Sequence, residues 1–175
     1  MHNTGCITFQ EFINSVEEFK LGGTSEHLAQ DAYNLYKKGV EKSEWKALED
    51  FFNSNNINKA SNGVIYPPND GFIEIVDGVL KKGKKIDRYG GRIDPSTGKF
   101  SDRGKFVANQ GTPFTNRALP LQAKQSPYKQ YIILEDIEVK TGNAIPWFNQ
   151  KGLGEQHLLP KSIDDLIKEG KIIEL

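Results

Sequence analysis

The chain has 175 residues, of which 37% are hydrophobic and 26% charged, proportions that fit one folded unit and exclude a wholly disordered chain. The formal net charge is zero, so bulk charge selects neither nucleic acid nor an acidic membrane as a partner. No run approaches the roughly 20 apolar residues that span a bilayer, and the single cysteine, Cys6, excludes an intrachain disulfide.

Three helices are predicted in the first third of the chain. Thr8 and Glu11 fit a capping box, in which each side chain bonds a free backbone N–H of the first turn. Apolar residues then recur at helical spacing, and we expect the aromatic ones to form a core. The expected boundaries are Thr8 and Gly22-Gly23 for the first helix, Thr24 or Ser25 and Gly39 for the second, and Ser43 for the start of the third.

The composition changes after this helical segment. Asn, Ser, Gly and Pro crowd residues 53–71, which is typical of a loop, and short β-like runs follow at 72–76, 131–134 and 137–139. Near the end, Ser162 and Asp165 fit a second capping box, Gly170 closes that helix, and residues 172–175 form a strand.

The predicted fold class is therefore α+β, with N-terminal helices followed by a small, mainly antiparallel sheet and a short C-terminal helix and strand. Two units are expected: a helical N-terminal segment at 1–56 and a second domain at 57–175.

Basic residues concentrate between Lys81 and Lys105. This stretch has nine basic and three acidic residues, a local charge of +6, and five glycines. Arginine forks and exposed backbone N–H groups suit phosphate, although a solvated loop is the plainer interpretation for most of the lysines. Tyr89, Phe100 and Phe106 interleave with the charges, so a nucleic-acid-binding module remains an alternative.

Several common catalytic patterns are missing from the sequence. The three histidines show no metal-ligand spacing with cysteine or with one another. There is no G-x-S-x-G elbow, no P-loop and no G-x-G-x-x-G dinucleotide fingerprint. We expect no metal and no cofactor.

Six short motifs follow one another in the second part of the chain. They are YPPNDGF at 66–72, IDRYG at 86–90, GTPF at 111–114, RALP at 117–120, IPWF at 145–148 and QKGLGEQ at 150–156. Each alone is weak, but their order resembles the tuberculosis necrotizing toxin family of NAD⁺ glycohydrolases.

The resemblance implies roles for single residues. The family's two essential arginines fall on Arg88 and Arg117, and its essential glutamine falls on Gln156. Arg88 and Gln156 are then expected to be catalytic. The residues expected to bind the substrate are Arg117, Tyr89, Phe72, Phe114 and Trp147.

These residue types suit cleavage of NAD⁺, which is the substrate and not a cofactor. Nicotinamide leaves as a neutral molecule, so its departure needs no general acid, unlike that of an ordinary glycoside. Arg88 and Arg117 suit the phosphates. Gln156 can donate and accept, so it can hold a ribose hydroxyl or the attacking water.

The chain departs from the family pattern in two places. Residues 91–106 are long, with an apparent inserted turn at 94–98, and the glycine turn carries Leu153 and Glu155. Glu155 would add a carboxylate beside Gln156 if it pointed into the pocket.

The expected function is hydrolysis of NAD⁺ to nicotinamide and ADP-ribose by an effector toxin, with NADP⁺ as a further possible substrate. An ADP-ribosyltransferase is the nearest alternative, although no Glu-x-Glu or Gln-x-Glu pair adjoins Gln156. A cognate immunity protein is the expected partner. The first nine residues do not resemble a signal peptide, so we expect export by a specialised secretion machine, or fusion to a longer chain, and action in the cytoplasm of the target cell.

Overall fold

The computed structural model describes residues 6–20 and 26–175. Within these residues, helices come first, an antiparallel sheet follows, and a short helix and strand end the chain. The predicted α+β class is therefore confirmed. The boundary predicted between residues 56 and 57 stays a prediction. None of the described helices is long and apolar enough to cross a membrane.

Where the sequence predicts one first helix, the structure has two short helices, α1 (Phe9–Asn14) and α2 (Glu17–Lys20). The capping box is confirmed, because Thr8 and Glu11 bond each other's backbone N–H groups. The prediction of one continuous helix is wrong. The Ser15 hydroxyl donates to the carbonyl of Phe12 at 2.7 Å, and this bond competes with the backbone hydrogen bonds of the helix at the point where the chain turns. The predicted boundaries at Gly22-Gly23 and at Thr24 or Ser25 lie outside the described residues.

The next helices are α3 (Glu26–Lys42) and α4 (Lys46–Ser54). Gly39 does not end α3 as predicted, because its role is close packing. A Cβ at Gly39 would lie 2.5 Å from Trp45 Cε3, so only glycine admits the indole ring. Ser43, at φ 57°, turns the chain instead, and α4 starts three residues later than predicted, at Lys46.

A first hydrophobic core joins the helices to the sheet-containing part. Phe12, Tyr36 and Phe52 are fully buried in it together with Trp147 from the loop after the longest strand. The rings of Phe52 and Trp147 meet edge to face at 5.4 Å between centroids. The Tyr36 hydroxyl donates to the carbonyl of Ile73. The helices are thereby fixed against the second part of the chain.

Seven strands form one antiparallel sheet: β1 (Val76–Leu80), β2 (Lys85–Tyr89), β5 (Phe106–Asn109), β6 (Tyr128–Ile133), β7 (Ile137–Asn143), β8 (Glu155–Leu158) and β9 (Ile172–Glu174). Their order across the sheet is β1-β7-β8-β5-β2-β6-β9. A separate hairpin pairs β3 (Arg92–Ile93) with β4 (Phe100–Ser101).

The predicted strands at 131–134 and 137–139 overlap β6 and β7, and the final strand is β9. The strand predicted at 72–76 is wrong except at Val76: Phe72 makes only an isolated bridge to Ala144. The turn predicted at 94–98 closes the β3–β4 hairpin, with the amide of Gly98 donating to the carbonyl of Asp94 at 2.7 Å.

A second core lies between the sheet and α5 (Ile163–Lys168). Ile163 and Leu166 pack there against Ile86 and Tyr131 of the central strands. The Ser162 hydroxyl caps α5 by accepting from the amide of Asp165 at 3.1 Å, which confirms the predicted N-cap, but the reciprocal bond of a capping box is not formed among the described residues. Asp87, Ala108 and Gln156, whose positions alternate with the core residues Ile86 and Val107, lie on the other face of the sheet.

Candidate functional site

A cleft of about 320 Å³ opens where the sheet meets the N-terminal helices and the loops that follow them. Its lining residues come from strands, from the loops after them, and from the helical part of the chain. They include Ser15, Asn58, Tyr66, Asp70, Arg88, Phe106, Arg117, Phe148 and Gln156.

A narrow crevice of about 40 Å³ continues this cleft. Arg88, Arg117 and Gln156 line both, and Tyr89 borders the crevice. The structure therefore brings together four of the residues selected from the sequence.

Arg88 stands near the end of β2 with its guanidinium group fixed by two neighbours. It pairs with Asp102 through Nε at 2.7 Å and Nη2 at 3.1 Å, and Nη1 donates to the carbonyl of Phe106 at 3.0 Å. The Asp102 side chain is only 2% exposed. A Cβ at Gly104 would overlap Arg88 Nη2, so glycine at that position makes room for the guanidinium.

Arg117 ends a 3-10 turn, Phe114–Arg117, and is fixed in a similar way. Its Nη1 lies 2.7 Å from Asp87 Oδ1, and its Nε and Nη2 donate to the carbonyl of Thr112 at 2.9 and 2.7 Å. The guanidinium carbon lies 4.9 Å from the centre of the Tyr89 ring, within cation–π range.

Asp87, the partner of Arg117, is fully buried in β2. Its Oδ2 accepts from the Tyr128 hydroxyl at 2.6 Å and from the amide of Gly111 at 2.9 Å. This contact contributes to raising the pKa of Tyr128, after the larger effect of burial, so the phenol stays a donor. A charged acceptor thus orients Arg117.

Each arginine is paired with a carboxylate, so the pairs add no net charge to the cleft. A guanidinium has five N–H donors; hydrogen bonds use three of them on Arg88 and two on Arg117, whose Nη1 also forms the ion pair with Asp87, so donors remain on both residues. An anion would therefore be recognised by hydrogen bonds of fixed direction and not by excess positive charge.

Gln156 lies on β8, opposite Ala108 and Gly142 of the neighbouring strands. Its Nε2 approaches Gly71, where a Cβ would lie 3.5 Å away. Within the described part of the chain, its side-chain amide makes no hydrogen bond. Donor and acceptor both remain available to a molecule in the cleft.

Phe72, Phe114 and Trp147 line neither cavity. Phe72 is fully buried behind Phe106, with 6.1 Å between ring centroids, and Trp147 donates its Nε1 to the carbonyl of Ile65 at 2.9 Å. Phe114 meets the edge of Tyr89 at 5.1 Å. Here they support the lining, and their direct contact with substrate stays a prediction.

Glu155 borders the crevice, but its carboxylate accepts from the Asn109 side chain at 2.8 Å. Successive strand residues point to opposite faces, so this bond directs Glu155 away from the face of Gln156. His157 shares the network: its Nε2 lies 2.8 Å from Asn109 Oδ1 and its Nδ1 lies 2.9 Å from the Thr141 hydroxyl. Burial lowers the pKa of His157.

Sequence reasoning did not select the groups that hold the site. Asp87 belongs to the IDRYG motif and Asp102 opposes the charge of the basic stretch, but neither was selected as a site residue. Phe148 shared a recognised motif, and its left-handed φ of 55° is visible only in the structure. Ser15 and Asn58 carried no signal, because only the tertiary contact brings them to the cleft.

Fold and site together define an α+β protein with an open cleft, which is lined by two carboxylate-paired arginines and by a glutamine whose amide makes no hydrogen bond within the described residues. Residues 79–175 match the family described as tuberculosis necrotizing toxin. The chain belongs to that family.

Over 131 residues the chain is 30% identical to the conidial surface nicotinamide adenine dinucleotide glycohydrolase nadA of Aspergillus fumigatus. This alignment covers 66% of the chain and 52% of the relative, so the chain spans about half the length of that curated protein.

Two solved structures are also similar. Tuberculosis necrotizing toxin, solved with its immunity factor IFT, is 22% identical with a TM-score of 0.49, over 66% of this chain and 65% of that one. Tse6, solved with Tsi6, is 17% identical with a TM-score of 0.38, over 81% and 96% of the two chains.

Proposed function

We propose that this protein hydrolyses NAD⁺ to nicotinamide and ADP-ribose, and that it acts as an effector toxin by depleting NAD⁺. The observation that carries the proposal is the amide of Gln156, which has no hydrogen-bond partner among the described residues and lines one cleft with Arg88 and Arg117. Membership of the toxin family and the similarity to a fungal NAD⁺ glycohydrolase support it.

The geometry suits this reaction. The remaining N–H groups of Arg88 and Arg117 would bind the pyrophosphate, which has acceptor oxygens for each of them. Nicotinamide leaves as a neutral ring while the ribose becomes cationic. Gln156 would orient a ribose hydroxyl or the attacking water, so the catalysis rests on positioning and preorganised polarity.

The nearest alternative, ADP-ribosyl transfer to a protein, breaks the same bond. It would need an acceptor group to be activated beside Gln156, and the Glu155 carboxylate is bound to Asn109 instead. Incubation with tagged NAD⁺ distinguishes the two reactions, because only transfer labels protein.

Nucleic-acid binding through residues 81–105 is the other alternative. Tyr89 and Phe106 border the cleft and its crevice, and Lys129 lies over Phe100 at 4.9 Å. These placements favour an internal role for the aromatic residues over an exposed stacking row. Nucleic-acid binding with a steep salt dependence would reverse that preference.

The biological setting follows from the chemistry. A protein that destroys NAD⁺ endangers the cell that makes it, so we propose a cognate immunity protein that covers the cleft. Loading on, or fusion to, a secretion machine would deliver the toxin to the cytoplasm of a target cell. NADP⁺, which differs by one phosphate, is proposed as a second substrate.

The direct test mixes the full chain with NAD⁺ and follows NAD⁺, nicotinamide and ADP-ribose by chromatography. We expect equal amounts of nicotinamide and free ADP-ribose. Nicotinamide without matching free ADP-ribose would indicate transfer or cyclisation. Intact NAD⁺ at high protein concentration would refute the proposal.

A further inference from the structure

One wall of the cleft combines a segment that precedes the matched residues 79–175 with a segment inside them. Asn58 and Tyr66 line the cleft and precede residue 79, where the family match begins. Phe148, which lies within the matched residues, also lines this wall, and its ring meets that of Tyr66 edge to face at 5.8 Å.

Glu49 of α4 holds Phe148 in place. The Glu49 side chain accepts a hydrogen bond from the amide of Phe148 at 2.7 Å, and the residue is only 7% exposed. Phe148 and Asn149 have φ of 55° and 58°, two consecutive left-handed residues that are not glycine. Such a backbone persists only where its surroundings fix it.

Glu18 of α2 holds Asn58 in the same manner. Its Oε2 accepts from the amide of Asn58 at 2.7 Å, and Asn58 is also left-handed, with φ of 60°. The Asn58 side chain then donates to the carbonyls of Tyr66 at 2.9 Å and Pro67 at 3.1 Å. The second carboxylate oxygen, Glu18 Oε1, is buried without a hydrogen-bond partner in the described part of the chain, which costs stability.

From this arrangement we propose that Glu18 and Glu49 are positioning residues, through which the N-terminal helices hold the Tyr66–Phe148 wall of the substrate cleft. Each glutamate fixes one left-handed residue, and the two fixed segments meet at the paired rings. The wall's ligand rests on the proposed function: a flat aromatic base of the dinucleotide would pack on it. The positioning itself does not depend on that ligand.

The consequence is an effect on binding more than on chemistry. Arg88 and Gln156 keep their own contacts with strands and loops when either glutamate is lost, so bond breaking proceeds once NAD⁺ is seated. A displaced wall weakens the binding of NAD⁺ in the cleft. Loss of either acceptor should therefore raise KM for NAD⁺ while kcat changes little.

The experiment uses Glu49→Ala and Glu18→Ala in the full chain. Because a displaced wall weakens binding of the substrate and of the transition state alike, we expect KM for NAD⁺ to rise by at least about fivefold, with kcat within about twofold. Glu49→Gln retains an acceptor oxygen and should restore most of the wild-type KM. Asp50→Ala and Glu17→Ala, at adjacent exposed ion-paired carboxylates, are the matched controls and should leave KM unchanged.

A second readout needs no substrate. Amide hydrogen exchange should show faster exchange at Phe148 in Glu49→Ala and at Asn58 in Glu18→Ala, with the sheet amides still protected. An unchanged KM with wild-type exchange at these two amides would overturn the proposal. So would an equal rise in KM in Leu166→Ala, which destabilises the distant second core. A wild-type chain inert toward NAD⁺ would refute the proposed function, and the exchange data would still decide the positioning.

Discussion

At the scale of single residues, the site is defined by which polar groups are satisfied and which are not. Arg88 and Arg117 are each fixed by a buried carboxylate and a backbone carbonyl, whereas the Gln156 amide has no partner in the described part of the chain. Fixed donors beside an available amide form a preorganised site, because little must reorganise when a ligand arrives.

Gln156 offers the cleanest test of a catalytic role. Gln156→Ala removes no side-chain hydrogen bond among the described residues, so we expect the unfolding free energy to change by less than about 1 kcal/mol. Loss of an oriented amide should lower kcat by about 100-fold or more. Chromatographic NAD⁺ turnover and urea unfolding measure the two quantities. A variant that keeps its kcat would remove Gln156 from the mechanism.

Asp102→Asn probes the support of Arg88. Asparagine keeps the size of the side chain but carries no charge and accepts at one oxygen, where the carboxylate accepts at two. Hydrogen bonds to charged groups contribute about 1.5–3 kcal/mol, so we expect a stability loss of about 2 kcal/mol, with lower kcat/KM. Asp77→Asn, at an exposed pair with Lys140, is the control and should change neither. Wild-type kcat/KM in Asp102→Asn would contradict the assigned role.

At the scale of elements, the sequence predicted the features that depend on neighbouring residues, and it missed the features that depend on contacts between distant parts of the chain. The capping residues Thr8 and Ser162 mark their helices correctly. Strand β2 was missed because it buries Asp87, a residue that hydropathy assigns to the surface. Arg88, Arg117 and Gln156 were found through motifs. Their carboxylate partners, and the helical residues of the wall, depend on contacts that no local pattern encodes.

Gly104, in the loop between β4 and β5, links element geometry to the site. A Cβ there would overlap the Arg88 guanidinium, so Gly104→Ala should push Arg88 off Asp102 and lower kcat/KM by at least about tenfold. Gly83→Ala is the control: its φ of 93° makes it strained, by about 1 kcal/mol, but nothing lies near the added carbon. Equal activities of the two variants would show that the close approach of the Arg88 guanidinium to Gly104 does not affect catalysis.

At the scale of the whole molecule, stability should depend on pH through His157. Burial, the larger effect, and Lys84 lower the pKa of this imidazole, and Glu155 opposes them. Below about pH 6.5 the unfolded chain binds a proton that the folded chain does not, so the unfolding free energy falls with pH, by at most about 1.4 kcal/mol per unit for this one group. The loss stops once the pH passes below the lowered pKa of the folded state.

Urea unfolding at pH 7.5, 6.5 and 5.5 should show a steeper decline for the wild type than for His157→Gln, which can still donate to Asn109 but does not titrate. If the unfolding free energies of the two proteins decline in parallel, groups other than His157 cause the pH dependence. The hydrogen-bond network of His157, Asn109 and Glu155 would then be insensitive to the charge of His157.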